Sequence, residues 1–307
     1  MTTTSLDDPL MVPRKLRPGQ RAEVWVVDVG RGVPELVYST EEVLLEAPNL
    51  APDEGGLLLN GDGLLWRLDL GTATALTAMK IDELPPINND HVLDAPRGLI
   101  YLSANDGHIY VAPLEGGAAT RITHDWSRYH FLHGVSPAGT TLAFVDLPRG
   151  DFSAAGRLAH IPAAGGQTTY PDAGTRHIDG PEYSPDGSWI YLNTEEFGVR
   201  PGHAQLARVP VGGGVLEHLV ATDTVDWFPH LSPDGKLATY IGFPTGTFGH
   251  PADLRVEVRV VQVADWNRVL HAIPLFGGQG TINVNSWSPD GTKFAYVAYP
   301  IREDETG

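Results

Sequence analysis

The chain has 307 residues, with 21 Lys and Arg against 38 Asp and Glu, so its formal net charge is −17. This charge argues against nucleic acid and anionic membrane surfaces as partners, since both are bound through clustered Lys and Arg. The 42% of apolar residues is enough for a full core, and the absence of cysteine excludes disulfides, thiolate nucleophiles and zinc–cysteine sites.

The first 19 residues are predicted to be a tail ahead of one folded domain over residues 20–307. The tail lacks the cationic start and the apolar stretch of a secretory signal, and nowhere in the chain do 18 apolar residues follow one another. The sequence therefore predicts a cytoplasmic protein. Gly and Pro together make up about a fifth of the chain, which favours short strands joined by tight turns over helices.

A short phrase recurs along the chain, each time ahead of an alternating apolar run. Two degraded copies, at 51–54 and 95–98, precede four fuller copies at Ser136–Gly139, Ser184–Gly187, Ser232–Gly235 and Ser288–Gly291. The prolines of the six copies stand at positions 52, 96, 137, 185, 233 and 289, which gives a period of 41 to 56 residues. A period of this length predicts one small sheet per repeat.

Each repeat has the same predicted order of elements. A strand leads into the Ser-Pro-Asp-Gly turn, and a second strand, a variable loop, a third strand, a Gly-Gly turn and a fourth strand follow. The Gly-Gly turns at 116–117, 165–166 and 212–214 suit tight hairpins, which need residues that tolerate positive φ. Four antiparallel strands per repeat make a propeller blade, so six repeats predict an all-β, six-bladed β-propeller.

The last repeat ends soon after its second strand. Residues 22–39 contain two alternating strands around Gly30-Arg31-Gly32, and they look like the missing pair. We expect these N-terminal strands to complete the final blade and to cover the strand edges that a split ring would expose. The chain should then form a single ring, and a division into two domains is rejected.

The phrase P-x-x-S-P-D-G before an alternating strand resembles the repeat of the TolB-like propellers, over residues 20–300. The segments DGPEYSPDGSWIYLN, DWFPHLSPDGK, GHPADL and LFGGQGTINVNSWSPDG are similar to an uncharacterised bacterial subgroup of that family. The signal peptide and additional α/β domain of periplasmic TolB have no counterpart here, so the resemblance does not imply an envelope role. The oligogalacturonate lyases are a more remote resemblance. They hold a divalent metal with His and Gln side chains, but no clustered His and Gln run of that kind occurs here.

The candidate site lies where the longest loops meet the inner strands. The connection between the second and third strands lengthens in the later repeats to LPRGDFSAAG, TEEFGVRPGHA and GFPTGTFGHPAD, and long loops on one rim indicate a site. Polar and aromatic residues stand at the same end of the inner strands and are predicted to line a ligand pocket at the channel mouth. They are Asp90, His91, Arg128, His130, Arg176, His177, Asp179, Trp227, Asn283 and Asn285.

Two chemistries fit these groups, and the sequence leaves both open. In the first, His133, His230, His250 and the Gln279 amide hold a divalent metal, together with Glu182 or Asp179. In the second, no metal binds, and Glu182 acts with His133 or His230 as an acid–base pair on a sugar-like ligand, in a lyase or hydrolase reaction. A buried, hydrogen-bonded structural role for these residues is the alternative to both.

A rival function is a protein-interaction platform without chemistry. It predicts an exposed apolar patch on the rim loops, for which Phe197, Phe243 and Phe248 are the candidates. Residues 277–280, Gly-Gly-Gln-Gly, are interpreted as a hairpin turn within a blade rather than as a phosphate cradle.

Overall fold

The computed structural model describes residues 12–71 and 74–302. Its strands form a ring of six small antiparallel sheets, as the repeats predicted. The strands of the first three blades and their links are β3 (Glu46–Leu50), β4 (Gly56–Gly61), β5 (Leu64–Asp69), β6 (Ala75–Ala78), β7 (Ile81–Asp82), β8 (Ile87–Asp94), β9 (Leu99–Ala104), β10 (Ile109–Pro113), β11 (Gly117–Ala118), β12 (Thr120–Arg121), β13 (Arg128–Val135), β14 (Thr141–Pro148) and β15 (Arg157–Pro162). A 3-10 turn spans Ala95–Arg97.

The remaining three blades follow the same order. Their strands are β16 (Ile178–Tyr183), β17 (Trp189–Thr194), β18 (Gln205–Pro210), β19 (Glu217–His218), β20 (Val225–Leu231), β21 (Leu237–Phe243), β22 (Leu254–Gln262), β23 (Asp265–Gly277), β24 (Lys293–Ala298), β1 (Ala22–Asp28) and β2 (Val33–Thr40). In the third blade the outermost position is filled by an isolated bridge between His160 and Thr169, and in the sixth the innermost is filled by one between Trp287 and Phe294.

The predicted closure of the ring is confirmed. Strand β1 pairs antiparallel with β24, with Glu23 opposite Ala298 and Asp28 opposite Lys293, and β2 pairs with the other edge of β1. The N-terminal strands thus complete the sixth blade, and the C-terminal strand is covered on its outer edge. Among the described residues, no helix has the length and apolar character needed to cross a bilayer.

The Ser-Pro-Asp-Gly turns are structural. In the fourth blade Ser184 Oγ donates to Asp186 Oδ1 at 2.5 Å, and the backbone N–H of Ser188 donates to the same oxygen at 3.0 Å. These hydrogen bonds lower the pKa of the Asp186 carboxyl to about 2. The last three turns also lie against the preceding blade, since a Cβ built on Gly187, Gly235 or Gly291 would lie 3.6 to 3.7 Å from the proline of the preceding turn. The six turns therefore surround one end of the central channel.

The hydrophobic core lies between adjacent blades, where the faces of neighbouring sheets meet. One cluster joins the fifth and sixth blades through residues such as Val258, Phe243 and Phe294, and another joins the sixth and first blades through Val24, Leu57 and Val297. Burial of these side chains fixes the blades around a central channel lined by the inner strands.

Candidate functional site

The channel opens into a cavity at each end. The loop-end cavity, at the end with the long connections, has a volume of about 570 Å³. The turn-end cavity, of about 490 Å³, is lined by the six turn prolines 52, 96, 137, 185, 233 and 289. His133 lines both cavities, so this side chain stands between them. The loop-end volume lies within the usual range of small-molecule sites.

One repeat position supplies the floor of the loop-end cavity. The residue six places before the turn proline is Glu46, Asp90, Phe131, Asp179, Trp227 or Asn283, one from each blade. Five of these six line the cavity, and the sixth, Glu46, accepts a hydrogen bond from the cavity-lining Arg14. The rotational symmetry of the ring therefore brings together residues that are distant in sequence.

A chain of charged groups crosses this floor. His133 Nε2 lies 3.0 Å from Asp179 Oδ1, and His250 Nε2 lies 3.6 Å from Asp179 Oδ2. Burial alone would raise the pKa of Asp179, but its contacts with the two histidines hold it well below its usual value. Burial alone would lower the pKa of His133, but Asp90 and Asp179 outweigh this effect and raise it. The floor thus favours a cationic His133 beside an anionic Asp179.

Asp90 contributes a carboxylate to the loop-end cavity. The residue is only 5% exposed and lines the loop-end cavity. Within residues 12–71 and 74–302 no hydrogen-bond donor contacts its side chain, and its backbone N–H donates to Asn88 Oδ1 at 2.9 Å. Burial raises the pKa of Asp90 to about 6, with His133 opposing the shift and Asp179 adding to it. A carboxyl of this kind can take or give a proton near neutral pH.

A polar wall stands beside the floor. Arg14 donates to Glu46 and, at 3.0 Å, to the backbone oxygen of Gln279. The Gln279 side chain donates to Asn89 Oδ1 at 3.2 Å and is also hydrogen-bonded to His250. Arg14 and Glu46 were not predicted from the sequence. The place of Glu46 six residues before Pro52 was a usable signal, whereas Arg14 belongs to the segment interpreted as a tail and had none.

The interpretation of residues 277–280 as a hairpin turn is wrong. The segment leads from β23 to the inner edge of the sixth blade, and it crosses the loop end on the way. The backbone N–H of Gly280 donates to Asn283 Oδ1 at 2.7 Å, and that of Ala47 donates to the Gly280 oxygen at 2.7 Å. Gly278 has φ +113°, and a Cβ there would lie 2.1 Å from the Pro251 oxygen, so only glycine fits.

Aromatic rings form the opposite wall and the mouth. The Trp227 and His250 rings have centroids 4.4 Å apart, and His250 also contacts Phe228 edge-on at 5.1 Å. Phe228 has an unusual φ of +54°, at a β-bulge that separates Trp227 from His230. At the mouth, Phe152 is 47% exposed and Phe248 is 77% exposed. Two phenyl rings therefore stand open to solvent above a polar floor.

Glu182 and His230, two of the predicted catalytic residues, are hydrogen-bonded to each other and do not line the loop-end cavity. Glu182 Oε2 lies 2.6 Å from His230 Nδ1, and His230 Nε2 donates to the Ile282 oxygen at 2.6 Å. Glu182 Oε1 accepts from the Leu231 N–H at 3.0 Å and from the Asn285 amide at 2.7 Å. Glu182 and Asn285 line the turn-end cavity together with His133, whereas His230 lines neither cavity.

The other predicted ligand residues divide into two groups. Five of them line the loop-end cavity, namely Asp90, His177, Asp179, Trp227 and Asn283. His91 lies at the turn end, bonded to Asn49 Oδ1 at 2.7 Å, and burial lowers its pKa to about 3. His130 donates to the Gly107 oxygen at 2.7 Å, and Arg128 pairs with the buried Asp146. Arg176 is exposed outside the cavity.

The four predicted metal ligands do not form a metal site. In the described part of the chain, no three His, Asp or Glu side chains are grouped so that they could hold a metal ion. His133 and His250 both contact Asp179, but both ring nitrogens of His250 and the Gln279 amide already have protein partners. His230 uses both of its nitrogens elsewhere. These residues do not fit a divalent metal, and no step below uses one.

The apolar patch predicted from three phenylalanines does not form. Phe243 is fully buried between the fifth and sixth blades, and Phe197 stacks on His218 with ring centroids 4.4 Å apart. Of these three phenylalanines, Phe248 alone is exposed.

Comparison with known proteins identifies relatives of similar length. An uncharacterised protein of Agrobacterium fabrum is 35% identical over 284 residues, which cover 91% of this chain and 92% of that protein. A TolB-like protein of Agrobacterium tumefaciens, solved as a structure, is 33% identical, with a TM-score of 0.82 over 92% of this chain and 99% of its own. The oligogalacturonate lyase of Vibrio parahaemolyticus, at 14% identity and a TM-score of 0.54 over 91% of this chain and 77% of its own, shares the fold. No family model matches the sequence.

Proposed function

This chain belongs to the family of TolB-like six-bladed β-propellers, and from that premise we propose that it binds a small, polar, carbohydrate-like ligand in the loop-end cavity. The observation that carries the proposal is the Asp90 carboxylate. It is buried, it faces the cavity, and no described protein group donates to it. Its oxygens are open to the cavity, so a ligand hydroxyl that donates to Asp90 would take the place of water there.

The balance of charge in the cavity favours a ligand that is polar but not polyanionic. The cationic His133 lies beside Asp179, and Arg14 is paired with Glu46. The chain as a whole carries a formal charge of −17, which repels long polyanions.

The shape of the site favours a ring with one apolar face. Hydroxyl groups would meet the floor and the polar wall, where Asp90, Asn89 and Asn283 offer donors and acceptors. The C–H face of a sugar ring would lie against Phe152 or Phe248 at the mouth and be removed from water there. We extend the proposal to acid–base chemistry at Asp90, of the lyase or hydrolase type, because its pKa of about 6 suits proton transfer.

The experiment is a calorimetric titration of the purified chain with glucose, galactose, mannose, N-acetylglucosamine and their short oligomers. We expect at least one sugar to bind and Asp90→Asn to weaken its binding about 10- to 100-fold, since a hydrogen bond to a charged group contributes about 1.5–3 kcal/mol. Asp62→Asn is the matched control, because Asp62 is an exposed residue in the β4–β5 turn at the same end. Sugar binding that Asp90→Asn leaves unchanged would reject the proposed site.

A second candidate, a protein-docking rim, is favoured by one observation. Val199 is 81% exposed and Phe248 is 77% exposed, each on a long rim loop. If no sugar in the series binds, this second candidate replaces the first.

A further inference from the structure

A strip of aromatic and arginine side chains leads outward from the mouth of the loop-end cavity. Phe152, which lines the cavity, stacks on Tyr129 with ring centroids 5.2 Å apart. The guanidinium carbon of Arg149 lies 4.5 Å from the centre of the Tyr129 ring and 5.8 Å from that of Trp126. The four side chains Phe152, Tyr129, Arg149 and Trp126 are called the outer strip below.

Trp126 is held in place at the far end of the outer strip. Its backbone oxygen accepts from Arg149 Nε at 2.9 Å, and Arg121 lies 5.2 Å from its ring centre. The buried His108 packs against its indole, with centroids 4.3 Å apart and planes at 82°. His108 is itself fixed by a contact of 3.2 Å between its Nδ1 and Thr123 Oγ1. Although these contacts fix the ring, Trp126 remains 51% exposed.

An exposed ring that is already immobilised is a ready binding platform. Little side-chain entropy is lost when a ligand covers it, because the neighbouring groups have already restricted its rotamers. The exposed part of the indole removes apolar C–H groups of a ligand from water, and the guanidinium of Arg121, which lies over the ring, offers N–H donors to hydroxyl oxygens. Tyr129, which links Phe152 to Arg149, is only 1% exposed, so a ligand that extends from the cavity meets Phe152 and then Trp126 at the surface.

We propose that the outer strip is a second sugar subsite and that the ligand of the loop-end cavity is an oligosaccharide rather than a monosaccharide. This inference rests on the proposed function. One sugar unit occupies the floor beside Asp90, and the next units pass Phe152 and lie against Trp126. The subsite adds binding area outside the cavity, so its contribution appears only with ligands longer than one unit.

The test compares ligands of increasing length on the intact chain. Calorimetric titrations use glucose, maltose and maltotriose, and in parallel N-acetylglucosamine, chitobiose and chitotriose. We expect a trisaccharide to bind more tightly than its monosaccharide and Trp126→Ala to weaken the trisaccharide about three- to tenfold while leaving the monosaccharide unchanged. Trp126→Phe, which keeps an aromatic face, should restore most of the lost affinity.

Tyr170→Ala is the matched control. Tyr170 is an exposed aromatic residue in the segment entering β16, and its ring carries Arg157 at 4.3 Å, so its loss should leave both ligands unaffected. Equal affinities for monosaccharide and trisaccharide, or equal effects of Trp126→Ala on both, would overturn the subsite and leave the proposed function standing. Failure of every sugar to bind the unmodified chain would overturn the proposed function and the subsite together.

Discussion

Glu182→Ala lowers the free energy of unfolding by about 3–5 kcal/mol, because each buried group left without its hydrogen-bond acceptor costs about 1–3 kcal/mol. Glu182 contacts His230 at 2.6 Å and also accepts from Leu231 and Asn285, so the substitution leaves three groups without their partner. These contacts join the fourth, fifth and sixth blades beside the channel. Chemical denaturation measures the change.

Glu217→Ala is the control for this substitution. Glu217 is on the outer strand of the same blade, where it pairs with Arg208 at 2.7 Å in an exposed position. Exposed ion pairs contribute little, so we expect a loss of less than about 1 kcal/mol. If the Glu182→Ala variant has the same free energy of unfolding as the unmodified chain but fails to bind a sugar, Glu182 is part of the ligand site and its structural assignment is wrong.

Asp179→Asn weakens ligand binding about 100-fold, because Asp179 positions two histidines of the loop-end cavity. Its two oxygens lie 3.0 Å from His133 and 3.6 Å from His250, and each contact depends on the negative charge. Without that charge, burial lowers the pKa of His133, and Asp90 and a hydrogen bond to the Asn283 backbone oppose the change. With His133 neutral and His250 displaced, the floor of the loop-end cavity loses the charge and the shape that the ligand contacts.

The pKa of His133 separates this explanation from simple misfolding. In the unmodified chain the imidazole titrates above its ordinary value of 6.5, and in Asp179→Asn the midpoint should move below the value in the unmodified chain. Nuclear magnetic resonance of the ring protons follows both titrations. Unchanged affinity together with an unchanged midpoint would show that Asp179 does not position His133.

The fold was predictable because its signals are local and repeated. Ser184, Asp186 and Gly187 specify a turn through their own hydrogen bonds and positive φ, and six copies at a regular period predict the ring. The N-terminal closure followed from counting strands, since the last repeat was short by two. Each of these inferences needs only neighbouring residues and the period.

The site was predictable only in part, because β-bulges interrupt the inner strands. Asp179 and Glu182 are three residues apart on β16, with a bulge between them. Asp179 lines the loop-end cavity and Glu182 lines the turn-end cavity. Another bulge lies between Trp227 and His230. A prediction that assumes strict alternation of side chains along the strand therefore assigns Glu182 and His230 to the wrong face of the sheet. Counting back from the turn proline would have grouped Asp90, Asp179 and Trp227 correctly.

Arg14 could not have been placed from the sequence at all. Its contacts with Glu46 and Gln279 depend on the path that residues 12–20 take across the loop end. Arg17 contributes to that path through an ion pair with Asp253 at 3.4 Å, between residues far apart in the sequence. Such contacts exist only once the ring has formed.

The central claim is that the loop-end cavity binds a sugar through Asp90. Crystals of the chain soaked with the sugar that binds most tightly in the calorimetric series test it most directly. We expect a sugar ring in that cavity, with one of its hydroxyls within hydrogen-bond distance of the Asp90 carboxylate and the C–H face of the ring against Phe152 or Phe248. A sugar bound at the turn end instead, or a loop-end cavity that stays without sugar at saturating concentration, would contradict it.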